Sequence, residues 1–187
     1  METFDIIVQA IGILAMAMNI LSYQQKKQSG VIAVQMVGAS LFAVHFWMLG
    51  ATVGALLNVV AAVRALIFYY KKQLHADHIA WTVGFEIVYF ICYALTFTVF
   101  DKAPTLPNLI LEFLPVIGMT ALMLGYRAKG AGAIRRWGLV SSPTWLIYNI
   151  VNISIGAICC EVISIVSIII GILRFDQRSD AEKVRTL

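Results

Sequence analysis

Apolar stretches of bilayer length recur along this chain with only short polar breaks between them, at 5–23, 31–49, 51–70, 79–100, 107–126, 136–152 and 154–174. A hydrocarbon core needs about 20 apolar residues per helix, and a segment in lipid must satisfy its own backbone hydrogen bonds, which a helix does alone. The pattern therefore predicts an all-α membrane protein with seven transmembrane helices. Composition agrees: 60% of the residues are hydrophobic and 13% charged, against roughly 25% charged in soluble domains. Seven spans leave no length for a separate soluble domain. Turn signals fall at the breaks: Gln28-Ser29-Gly30, Leu49-Gly50, Pro104 with Pro107, and Gly130 with Gly132. The acidic start, Met1-Glu2-Thr3-Phe4-Asp5, lacks the basic region of a signal peptide, so the first apolar segment is expected to remain as a helix.

The basic residues give the expected direction. Lys26 and Lys27, Lys71 and Lys72, Arg127, Lys129, Arg135 and Arg136, and Arg174, Arg178, Lys183 and Arg185 all fall on one side of a seven-helix chain. Lys102 is alone on the other side, and Arg64 lies inside a span. By the positive-inside rule the N-terminus is outside and the C-terminal tail, 177–187, cytoplasmic, as in a multi-pass membrane protein. Tyr23, Tyr69, Tyr70, Trp81, Tyr126 and Trp137 fall at the inner interface and Trp47 at the outer one, where aromatic rings anchor helices. The net charge of +4 comes from helix ends and forms no contiguous basic face, so nucleic acid is not an expected partner. Cys92, Cys159 and Cys160 lie within apolar segments without ligand spacing and read as small filler. His75 and His78 flank Asp77 in a short loop, which is weak as a metal motif; no metal or cofactor is expected. No HExxH, GxSxG or P-loop pattern occurs, so no enzyme is expected either.

A shift of 103 positions aligns the two ends of the chain. Leu21-Ser22-Tyr23 meets Leu124-Gly125-Tyr126, Lys26 meets Lys129, Gln9 meets Glu112, His45 meets Tyr148 and Asn58 meets Glu161. Helices 1–3 (1–72) then form one triple-helix bundle and helices 5–7 (104–176) the other, with helix 4 (73–103) as an unpaired linker. An odd linker makes the two bundles parallel, related by an axis along the membrane normal.

The stretches His45-Phe46-Trp47-Met48-Leu49-Gly50 and Glu112-Phe113-Leu114-Pro115-Val116-Ile117-Gly118, and Ser154-Ile155-Gly156 followed by Glu161 and by Arg174-Phe175, resemble the YgjV family of bacterial inner-membrane proteins from about residue 10 to 176. More distantly, the 3+1+3 plan resembles the SWEET, PQ-loop (MtN3-like) and PnuC-type transporters. That resemblance implies two triple-helix bundles with a substrate path between them. The Pro-Gln signature is not present, because Tyr23 precedes Gln24, although helices 5 and 6 carry Pro115 and Pro143.

Ionisable groups in hydrocarbon cost about 2.5–3.5 kcal/mol on insertion scales and usually face a bundle interior. Arg64 and Glu86 sit at one depth, roughly 10 Å from the inner surface at about 1.5 Å per residue, and are expected to form a structural ion pair, the alternative being Arg64 as an anion-binding group in the pathway. In the outer half, Asn58, Glu161, Glu112, His45, Tyr148 and Asn149 share a polar layer. With Trp145, beside Pro143, they are the expected substrate-binding residues, Asn58, Glu161 and Trp145 lining a central cavity and Glu112, His45 and Tyr148 its outer rim. The expected function is transport of a small polar solute, as a uniporter or with a proton. The alternative is a non-transporting sensor or assembly protein, with these groups serving as interhelical glue. The bilayer and a small solute are the expected partners, and a homo-oligomer is left open.

Overall fold

The computed structural model describes residues 3–48, 52–99, 101–151 and 155–176. The tail 177–187, the Leu49-Gly50 turn and Ser154 lie outside the described residues. Seven α-helices follow in order among the described residues: α1 Thr3–Ser22, α2 Gln28–Met48, α3 Thr52–Tyr69, α4 Ile79–Thr98, α5 Leu106–Arg127, α6 Ala131–Val151 and α7 Ile155–Gly171, which runs into a π-helical turn, Ile172–Asp176. Four apolar helical stretches, Gln28–Met48, Ile79–Thr98, Leu106–Arg127 and Ala157–Asp176, are long and apolar enough to cross a membrane, and Ile6–Ser22 and Ala55–Tyr69 are shorter apolar helices. Pro115 and Pro143 lie inside α5 and α6, as neighbouring helices permit in a membrane.

Two starts differ from the sequence reading. The polar triplet Gln28-Ser29-Gly30 forms the first turn of α2, and α6 begins at Ala131, so Arg135 and Arg136 are helical rather than loop residues. In both places a polar side chain near the helix start is drawn inward to bond the end of another helix, and the helix extends to carry it.

Consecutive helices pack side by side, α1 on α2, α2 on α3, α5 on α6 and α6 on α7. The two groups meet through α1 with α7, α2 with α6 and α3 with α5, and α4 packs on α5. α4 buries only Phe85 and Tyr89 and leaves Ile79, Val83, Ile87, Phe90 and Ile91 exposed. An apolar helix face of that kind is stable against lipid. The core, by contrast, lies toward one end of the bundle. Tyr23, Val31, Ile32, Phe68, Phe85, Tyr89, Met123, Tyr126, Ile134 and Ile168 are its larger buried members near that end. They come from the C-terminal halves of α3, α5 and α7, from Tyr23 just past α1, and from the N-terminal halves of α2 and α6, with Phe85 and Tyr89 in the first half and at the middle of α4. This is the end rich in Lys and Arg, called the basic end below; Lys102 marks the other.

Candidate functional site: the polar contacts between the helix groups

At the basic end, each group ties off a helix of the other. The amide of Gln28, in the first turn of α2, donates to the carbonyls of Tyr126 (2.9 Å) and Ala128 (2.7 Å) at the C-terminus of α5. Its Oε1 accepts from the Gly130 N–H at 3.0 Å. Gly130 holds φ +87°, which glycine adopts without steric cost. Arg135, in the second turn of α6, does the same for α1, donating to the carbonyls of Tyr23 (3.2 Å) and Gln25 (2.9 Å). Tyr23 and Gln25 are the residues that a 103-position shift places over Tyr126 and Ala128. Carbonyls at a helix C-terminus have no partner within the helix, and here the opposite group supplies one.

Two further pairs of residues 103 positions apart also meet the opposite group. The Tyr126 hydroxyl donates to Gln35 Oε1 at 2.6 Å, and its mate Tyr23 packs on Gly138, the mate of Gln35, where an added methyl would stand 3.3 Å from the Tyr23 ring. Arg64 of α3 donates to the Met119 carbonyl of α5 at 3.0 Å. Its mate Ser167 of α7 donates to the Ile20 carbonyl of α1 at 2.7 Å. Gln24 adds bonds to the Ser167 carbonyl (2.7 Å) and hydroxyl (2.9 Å). Tyr23 and Tyr126 are 3% and 1% exposed. They are core residues between the helix groups and not the interfacial anchors expected of them. Their burial is explained by the partners just named, none of which is adjacent in sequence.

Arg64 and Glu86, expected to pair with each other, have other partners. The Arg64 guanidinium donates through Nη1 to the Tyr89 hydroxyl at 2.9 Å and to Met119, and lies 5.3 Å from the centre of the Tyr126 ring. Glu86 accepts from the Thr120 hydroxyl at 3.0 Å. Their side chains on α3 and α4 do not meet each other. A turn farther along α4, Tyr89 takes the place expected of the carboxylate. The salt bridges among the described residues are Lys71–Asp77, Lys102–Glu112 and Arg135–Asp176. Lys71 also bonds the Arg127 carbonyl, and His78 caps α4, accepting from the Ala80 N–H at 3.2 Å.

The residues expected to bind substrate divide between the helix groups. Glu112 on α5 is buried, pairs with Lys102, and accepts from the Tyr148 hydroxyl of α6 at 3.3 Å. Trp145 packs edge-on against Tyr148 with ring centres 5.8 Å apart. Its indole closes over Gly118, where a methyl would come within 2.8 Å of Nε1. These three residues are thus brought together on α5 and α6. His45 sits in the other group, on α2, with Nδ1 2.9 Å from the Val8 carbonyl of α1 and its ring over Gly12. Asn149 is buried, Asn58 half-buried on α3, and Glu161 half-buried on α7 within reach of the Ser142 hydroxyl of α6. A groove lined by Thr82, Val83, Glu86, Ile87, Phe90 and Ile91 runs along α4, apart from all of them.

Sequence reasoning missed Gln35, Tyr89 and the inward role of Arg135. Gln35 was detectable as a lone amide within an apolar run. The alignment of Tyr23 with Tyr126 was a second signal, since matched aromatic residues at matched depth suit a shared interface as well as they suit a membrane surface.

No curated protein and no solved structure matches the chain. A family model described as bacterial inner membrane protein, Imp-YgjV, matches residues 6–179. That match covers α1 from residue 6, all of α2–α7 and both ends of the contacts described above, and the chain belongs to the Imp-YgjV family of bacterial inner membrane proteins.

Proposed function

We propose that the protein carries a small polar solute across the membrane, as a uniporter or with a proton, on two parallel triple-helix bundles, 1–72 and 104–176, joined by the linker helix region 73–103. The observation that carries this reading is that residues 103 positions apart, Tyr23 and Tyr126, Gln25 and Ala128, and Arg64 and Ser167, each take part in contacts between the two helix groups, although their partners are not repeat mates. The pairing of α1 with α7 and of α3 with α5, and of α2 with α6, is what a two-fold axis relating α1 to α5, α2 to α6 and α3 to α7 requires. The bonds through Gln24, Gln28, Arg64, Tyr126 and Arg135 all lie toward the basic end, as does the core. Such an arrangement closes a path at one end while leaving its bundles to separate at the other, and sites in repeat transporters lie at the repeat interface. With the basic end cytoplasmic, the closed end is the inner one. In this reading Asn58, Glu161 and Trp145 meet the solute, with Glu112, His45, Tyr148 and Asn149 around them.

A thermal-shift screen of the purified protein against small metabolites tests it, because a ligand of the native state raises apparent stability. A stabilising solute should lose its effect in Asn58→Ala and Glu161→Gln while the unliganded melting temperature stays within a few degrees. Full retention of the shift in both variants refutes the assigned site. One observation favours the alternative of a non-transporting sensor or assembly protein: Glu112, Tyr148 and His45 are already bonded to protein groups. That reading is preferred if no solute in the screen stabilises the protein and a second membrane protein co-purifies at fixed stoichiometry.

A further inference from the structure

Arg64 is 3% exposed and Gln35 6% exposed, and each keeps a hydrogen-bond donor that no protein atom meets. The unpartnered atoms are Arg64 Nε and Gln35 Nε2. Both side chains converge on Tyr126. The guanidinium lies against its ring at 5.3 Å and the Gln35 amide accepts from its hydroxyl at 2.6 Å. Among the described residues no carboxylate forms a salt bridge with Arg64. Its protein partners, the Tyr89 hydroxyl and the Met119 carbonyl, are neutral. Tyr126 offers its ring face and a neutral hydroxyl within reach of the guanidinium, and cation–π attraction offsets part of the burial of a charge. A buried cation is normally paired, and a guanidinium is built to hold two oxygens of a carboxylate or phosphate at once.

We propose that Arg64 and Gln35 are the anion-binding end of the solute site, and that the transported solute carries a carboxylate or a comparable small oxyanion. The proposal rests on the transporter reading and deepens it. The oxyanion accepts from Arg64 Nε and Gln35 Nε2, the two donors left open, and neutralises Arg64 from between the bundles. The cluster sits on α2, α3, α4 and α5, so it joins the first bundle to the linker and to the second bundle. A bound anion would therefore hold the basic end together, and its loss would leave a like-for-like buried charge to be rehydrated as the bundles part. Tyr126 serves as the positioning residue: its ring orients Arg64 and its hydroxyl fixes the Gln35 amide with Nε2 free.

The test is thermal unfolding of the full-length protein in non-ionic detergent, titrated with sodium acetate, sodium pyruvate and inorganic phosphate. Sodium chloride at equal ionic strength is the control, and phosphatidylglycerol added to the micelles is a separate arm. At least one of the three soluble anions should give a rise of roughly 3–6 °C at about ten times its Kd, growing with the logarithm of concentration beyond it. Gln35→Glu places a resident carboxylate beside Arg64; it should melt higher than the wild type without added anion and should no longer respond to any. Arg64→Lys, which keeps the charge without the fork, should bind at least tenfold more weakly. Should Arg64→Lys fail to fold, Gln35→Glu alone still decides. No response beyond chloride, a response only to phosphatidylglycerol, or a full response retained in Gln35→Glu each overturns the proposal. A neutral solute whose effect is lost in Asn58→Ala, with no anion effect in the wild type, overturns the anion end and leaves the transporter reading standing.

Discussion

Replacing Arg135 by Leu should be among the most damaging single changes in the protein. Arg135 is 1% exposed. Its Nε donates to Asp176 at 3.0 Å, its Nη2 bonds the other oxygen of the same carboxylate, and its Nη1 caps Tyr23 and Gln25. Bonds to a charged group contribute about 1.5–3 kcal/mol each and those to neutral carbonyls about 0.5–1.5. They do not add, because in the variant Asp176, 17% exposed, recovers some water. Removing one partner of a buried pair costs about 3–5 kcal/mol, and partial rehydration sets the expectation near the lower figure, about 3 kcal/mol. Asp176→Asn in the Arg135→Leu background should then cost little more, since it removes the stranded charge, giving a coupling energy of about 1.5–3 kcal/mol. Equilibrium unfolding in mixed detergent micelles, followed by tryptophan fluorescence, measures all four corners of the cycle. A loss below about 1 kcal/mol for Arg135→Leu, or costs that simply add in the double variant, would refute the view that this residue ties α1 and the end of α7 to α6.

Three further outcomes follow from the same contacts. Asp77→Asn breaks the Lys71–Asp77 pair, but the Asp77 side chain is 72% exposed, so the change in stability should stay within about 0.5 kcal/mol in the same unfolding assay. Gly171→Ala would set a methyl 2.5 Å from the Tyr23 carbonyl and 2.7 Å from Arg135 Cδ and should destabilise by about 1–3 kcal/mol; Gly84→Ala meets nothing within 4 Å and should be neutral or stabilising by up to about 1 kcal/mol. Equal effects at the two glycines would show that α7 does not approach α1 so closely. For topology, a reporter fused after Leu187 should be active only in a cytoplasmic form, and alkaline phosphatase activity at that position would reverse the assignment of the basic end.

The positions of the helices were legible in the amino-acid sequence because entry into lipid is decided segment by segment. About 20 apolar residues suffice, whatever lies beside them. The spans read at 79–100 and 107–126 differ from α4 and α5 by at most two residues at either end. The alignment of Tyr23 with Tyr126 was legible as well, and both residues are buried in the structure. Lateral neighbours were not legible. Depth comes from counting along one helix, whereas rotation about the helix axis and the choice of partner come from packing among all of them. So Arg64 and Glu86 were given the same depth and a contact they do not make, and Tyr89 and Met119 went unnoticed as the partners of Arg64. Tyr23, Tyr126 and Arg135 stand where interface anchors and loop charges ordinarily stand. Only the tertiary structure turns them inward, because the helix ends they contact lie about a hundred residues away along the chain, and carbonyls buried there must find a donor.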